Sequence, residues 1–148
     1  MFDFKTLKRP ATPNTALYAD AGDTASKADA PALRFANPPA AVFAAWARVV
    51  ADAPRTTVQH TDPEAFAQHA VQRSRVFRFP DDVYAQAEPL ADGAGTRMLL
   101  YSAARYGKGD FGKNRQRLER WSAALIRALG EQPLASTPAS QDTLTTDR

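Results

Sequence analysis

Apolar residues recur between Val42 and Val50 as Val42, Phe43, Trp46, Val49 and Val50, a spacing that lines one face of a helix. Asn37-Pro38-Pro39 reads as its opening, a capping side chain followed by prolines where no N–H is needed. Pro54 ends it. The period then falls to two. Arg55 to Thr61 is β-branched and stops before Asp62-Pro63, and Ala67 to Phe79 reads as a longer strand with Val71, Arg73, Arg75, Phe77 and Phe79 on one face. Pro80-Asp81-Asp82 is expected to turn the chain into a third strand, Val83 to Glu88. Asp92-Gly93-Ala94-Gly95 is a hairpin signal before a fourth, Thr96 to Arg105. Helical spacing returns in Leu118, Trp121, Ser122, Leu125, Ala128 and Leu129, with Asp110 expected as the cap and Gly130 as the stop.

The order α-β-β-β-β-α predicts an α+β fold. It has two layers, a four-stranded antiparallel sheet with two helices on one face and one tryptophan from each helix meeting over it. Residues 37–130 form the expected domain. Residues 1–36 read as an extended and loop segment in which Leu17-Tyr18 and Leu33-Arg34-Phe35 pack as short extended pieces, with Phe2, Phe4, Tyr18 and Phe35 arguing against a bare disordered arm. Residues 131–148, rich in Ser, Thr, Pro and Gln without a period, read as a disordered tail.

A chain of 148 residues can bury a core without metals or disulfides. With no cysteine, disulfide frameworks, thiolate zinc sites and cysteine nucleophiles are excluded. The start lacks the apolar run of a signal peptide, and no uncharged stretch approaches the roughly 20 residues that span a bilayer. A cytoplasmic protein without a transmembrane segment is therefore expected. Net charge is only +3. Its placement is uneven, because Arg105, Lys108, Lys113, Arg115, Arg117 and Arg120 are opposed only by Asp110 and Glu119 in one short segment.

Two stretches stand out. One is Gln72-Arg73-Ser74-Arg75-Val76-Phe77-Arg78-Phe79-Pro80-Asp81; the other runs from Tyr101-Ser102-Ala103-Ala104-Arg105 through Tyr106-Gly107-Lys108-Gly109-Asp110 to Phe111-Gly112-Lys113-Asn114-Arg115. The second has the form S-x-x-R-x-G-x-x-D-x-G-x-N-R ahead of an amphipathic helix. From Pro38 to Leu129 the pattern resembles the bacterial family known as domain of unknown function 1499, and Thr12-Pro13-Asn14 resembles the Pro-Asn start of that family. Ala104 stands where the family usually has serine, and Lys113 where it has a small apolar residue. The resemblance implies a domain and a set of marked residues, and no activity.

Two readings of residues 105–115 follow. In the first, the connector is an anion or phosphate-headgroup site. There a helix N-terminus offers unsatisfied N–H groups, Gly107, Gly109 and Gly112 permit close backbone approach, and Arg105, Lys108 and Arg115 add charge. Asp110, Asn114, Arg73 and Arg75 complete the candidate set. In the second, the connector is scaffold. Asp110 caps the helix, Asn114 bonds nearby backbone, and Arg105 pairs with Asp110 or Asp81. His60 and His69 lack metal-ligand spacing and read as incidental surface residues. Asp81 and Asp82, as neighbours in extended chain, point opposite ways. No Ser-His-Asp, Walker or Rossmann pattern is present. Arginines interleaved with Phe77, Phe79 and Tyr84 give no strong nucleic-acid signal at this net charge. The expectation is a non-catalytic binding module without a cofactor, taking a small anionic ligand or a protein partner. A structural or interaction domain using its open sheet face is the alternative.

Overall fold

A computed structural model describes residues 2–107 and 112–130. A 3-10 turn at Phe4–Thr6 precedes β1 (Thr15–Tyr18) and β2 (Leu33–Phe35). Then come α1 (Pro39–Asp52), β3 (Thr56–Asp62), β4 (Ala67–Arg73), β5 (Pro80–Pro89), β6 (Thr96–Ala104) and α2 (Lys113–Leu129). The fold is α+β with two helices and an antiparallel sheet, but the sheet has six strands, not four. Its order is β1-β6-β5-β4-β3, and β2 pairs with β6 beside β1. The two additional strands come from the first 36 residues. Leu17 and Ala16 point to opposite faces and are both buried, so that short piece closes the edge of β6 against two apolar surfaces at once.

Both helices pack on one face. Val42, Trp46 and Val50 of α1 and Leu118, Trp121 and Leu125 of α2 share a core with Ala70, Val83, Ala85, Met98 and Leu100. The two indoles meet at a centroid distance of 5.7 Å and 60°, as the helical spacing predicted. The opposite face is partly covered by the chain's own start, where Phe4, Leu7, Leu17, Leu99 and Tyr101 form a second core. Arg97 holds the loop before β2 there through Asp20 and Asp23, and also pairs with Glu88 of the neighbouring β5.

Several boundaries differ from the pattern. The expected strand to Phe79 ends at Arg73, because residues 74–79 close a turn. Ser74 N–H donates to the Phe79 carbonyl at 2.9 Å, Phe79 N–H donates to Ser74 Oγ at 2.9 Å, and Arg78 takes a left-handed φ of 60°. Alternation continues through this turn but no ladder does. Pro80-Asp81-Asp82, expected as a turn, opens β5 instead, and proline is tolerated as a first strand residue. Pro38 rather than Asn37 is the N-cap of α1. Gly112, at φ 77°, holds the N-cap position of α2 that was expected for Asp110. Gly130 ends that helix in a left-handed conformation, its N–H reaching the carbonyls of Ile126 and Arg127. Lys108, Gly109, Asp110 and the 131–148 tail lie outside the described residues.

Candidate functional site

The site is built on a buried polar cluster beneath the helix layer. On α2, Asn114, Arg117, Leu118, Trp121, Ser122 and Leu125 occupy the inward stripe, so three polar residues enter the core with the apolar ones. The Arg117 guanidinium pairs with Asp81 at 2.9 Å. It also donates to Gln72 Oε1 at 2.5 Å, Ser102 Oγ at 3.1 Å and Asn114 Oδ1 at 2.7 Å. Asn114 Nδ2 donates to the Asn14 carbonyl at 3.0 Å. A buried ion pair survives only when its remaining groups are bonded, and here a fork of donors meets acceptors from three strands.

Gln72, Asp81 and Arg117 of this cluster form the floor of a cleft of about 300 Å³ between β4, β5 and the first turns of α2. One wall is the corner between α1 and β3, tied to the end of β4. Gln72 Nε2 donates to the Pro54 carbonyl at 3.0 Å, and Arg55 Nε donates to the Arg73 carbonyl at 3.0 Å. Arg55 itself sits at φ 53°, in left-handed backbone, where the helix gives way to the strand. Arg73, Ser74 and Arg75 supply the second wall, and Lys113, Gln116 and Arg120 the third. Among the described residues, Arg55, Arg73, Arg75, Lys113 and Arg120 have no carboxylate partner. The cleft's carboxylate, Asp81, is paired with Arg117, so the rim is uniformly cationic.

The marked residues of the connector go elsewhere. Arg105 forms a two-point pair with Asp82, Nε to Oδ2 at 3.1 Å and Nη2 to Oδ1 at 2.7 Å, and not with Asp81; the other expected partner, Asp110, lies outside the described residues. Asp81 and Asp82 do point to opposite faces, as neighbours in a strand must. Gly107 accepts a hydrogen bond from Asn14 Nδ2 at 2.7 Å. Asn114 is 0% exposed. Arg115 is exposed and lies 3.5 Å from Glu119 one turn on. Of the candidates among the described residues, only Arg73 and Arg75 line the cleft, where they join Arg55, Lys113 and Arg120.

His69 is not incidental. Its Nε2 lies 2.7 Å from Asp82 Oδ1, and its ring stacks on Tyr84 at 4.3 Å. Burial raises the Asp82 carboxyl, but hydrogen bonds and charge from Arg105 and His69 outweigh it and hold the group below the ordinary carboxylate range. Tyr84 continues the stack onto Phe2 at 3.8 Å, beside a small apolar hollow of about 90 Å³. Among the described residues no group of three or more His, Asp or Glu could hold a metal.

Sequence reasoning missed Arg117, Gln72, Asp81 and Asn14 as one constellation. Arg117 carried a signal: it falls three residues after Asn114 and one, four and eight before Leu118, Trp121 and Leu125, on the stripe that must be buried. Its partners could not be read, since Asp81 and Gln72 come from other strands.

The profile of the family described as "Protein of unknown function (DUF1499)" matches residues 7–125. The chain belongs to the DUF1499 family. The match begins well before Pro38 and so takes in β1 and β2, the strands that complete the sheet of this DUF1499 chain. It also spans every member of the buried cluster, from Asn14 to Arg117. No curated protein matches the chain. No helix among the described residues is long and apolar enough to cross a membrane.

Proposed function

We propose that this protein is a non-catalytic binding module for a small phosphate-bearing anion, held in the cleft between β4, β5 and α2. The observation that carries the reading is the set of five cationic side chains, Arg55, Arg73, Arg75, Lys113 and Arg120, that line one cleft without carboxylate partners among the described residues. Like charges around one concavity repel, and an anion relieves that repulsion. Arginine also suits two-point contact with phosphate or carboxylate oxygens. Beneath the rim, Arg117 is held by four partners among the described residues, which gives the cleft a firm floor. A catalytic reading has less support, since the cleft's carboxylate is committed to Arg117. The proposal moves the anion site expected at residues 105–115 toward Arg73 and Arg75.

The test is a thermal-shift series with phosphate, pyrophosphate and citrate on wild type and on Arg75→Ala/Arg120→Ala, at two salt concentrations. Binding to the folded state raises the melting temperature. A rise in wild type that is lost in the double variant and weakened by salt supports the reading. An equal rise in both proteins, or none in wild type, overturns it.

A further inference from the structure

The turn joining β4 to β5 carries an apolar surface that the core does not explain. Val76, Phe77 and Phe79 are 75%, 73% and 57% exposed, and they supply three of the five large exposed hydrophobic side chains among the described residues. Soluble surfaces seldom leave adjacent aromatic rings so open without a use. The turn is firmly built. Ser74 bonds Phe79 twice, Arg73 Nη1 donates to the Arg78 carbonyl at 3.0 Å, and the rings of Phe77 and Phe79 stack at 5.6 Å and 19°. Arg75 and Arg78 flank Val76 and Phe77, and Arg73 and Arg75 line the cationic cleft.

We infer that this turn and the adjoining cleft form a docking surface for an anionic phospholipid bilayer. The inference rests on the phosphate-binding reading of the cleft and names where that phosphate sits. Val76, Phe77 and Phe79 enter the interfacial zone, while the arginines and Lys113 meet headgroup phosphates. Charge complementarity selects the occupant, since cytoplasmic leaflets and many other natural bilayers are negatively charged. A single-stranded nucleic acid fits less well. The two phenylalanine rings already stack on each other, and Val76 offers no face on which a base could stack. No spanning segment is required, because an interfacial contact needs only the turn.

The experiment is sedimentation of the full chain with vesicles of phosphatidylcholine alone and with vesicles of about three parts phosphatidylcholine to one of phosphatidylglycerol. Wild type is compared with Phe77→Ser/Phe79→Ser and with Arg75→Ala/Arg120→Ala. Each protein is also melted with and without pyrophosphate, which reports both folding and the cleft. Wild type is expected to sediment with the anionic vesicles only. The phenylalanine variant is expected to lose at least about tenfold in apparent partitioning while keeping its pyrophosphate shift. Wild type that stays in solution with anionic vesicles but is stabilised by pyrophosphate overturns the docking surface and leaves the cleft. Phenylalanine-dependent vesicle binding with no pyrophosphate shift supports the docking surface and removes the phosphate pocket. Vesicle binding unchanged in the phenylalanine variant, or retention on single-stranded DNA in place of vesicles, overturns the inference.

Discussion

The side-chain amide of Asn114 donates to the backbone carbonyl of Asn14 at 3.0 Å, across a separation of one hundred residues. The same carbonyl accepts from Ala104 N–H at 3.0 Å, and the Asn14 amide reaches the Gly107 carbonyl. One short stretch thus pins the chain's start, the end of β6 and the first turn of α2 together. Asn114 Oδ1 adds Ser102 and Arg117 to the junction.

Asn114→Ala should therefore destabilise the protein by about 2–4 kcal/mol, because it strands several buried donors and acceptors at once. Urea unfolding measures this directly. A loss well under 1 kcal/mol would mean that the junction is dispensable.

Asp81→Asn separates scaffold from binding. Breaking a buried ion pair from one side costs about 3–5 kcal/mol, and the floor of the cleft loses its negative charge. The variant is expected to melt lower yet respond at least as strongly to pyrophosphate as wild type. An abolished response at a temperature where the variant is folded would give Asp81 a direct part in binding.

The pattern of residues revealed more of the fold than of the site. Both helices were legible, because Val42, Trp46 and Val50, and Leu118, Trp121 and Leu125, repeat at a helical period over several turns. The four longer strands were legible too, β4 and β5 from alternation, β3 from its β-branched residues and β6 from the hairpin signal before it. β1 and β2 were legible only as the short extended pieces around Leu17-Tyr18 and Leu33-Arg34-Phe35; at four and three residues no period marks them as members of the sheet, and their pairing with β6 is set by tertiary contact. Glycines and charge drew attention to residues 105–115. Yet the conspicuous residues there, Arg105, Gly107 and Asn114, are satisfied inside the protein. The cleft is assembled from the α1–β3 corner, the β4 end and α2, a convergence that no single stretch of sequence can display.

Acid should unfold the protein partly through Asp82 and Asp20. For Asp20, burial acts upward, but hydrogen bonds from Arg34, the Ala32 N–H and Arg97 bring its carboxyl below the ordinary value, as the bonds to Asp82 do. A folded pKa below the unfolded one gives stability that is present above the unfolded carboxylate value, about 3.9, and lost as pH falls through the folded one. Melting temperature is expected to drop below about pH 4, and less steeply in Asp82→Asn. An identical acid limb in the variant would show that the Arg105–Asp82–His69 group does not contribute.

Gly95→Ala tests the hairpin between β5 and β6. Gly95 has φ 150°, and an added Cβ would lie 2.2 Å from the Phe35 carbonyl oxygen of β2. Displacing β2 from β6 should cost about 2–3 kcal/mol. An unchanged melt would show that β2 can shift without loss.

The cationic cleft is the central claim, and amide chemical-shift mapping with pyrophosphate tests it most directly. The account predicts saturable shifts concentrated at Arg55, at Arg73 to Arg75 and along the first two turns of α2, shrinking in Arg75→Ala/Arg120→Ala. Shifts scattered over unrelated surface arginines without saturation, or centred on Arg105 and Gly107 with the cleft silent, would contradict it.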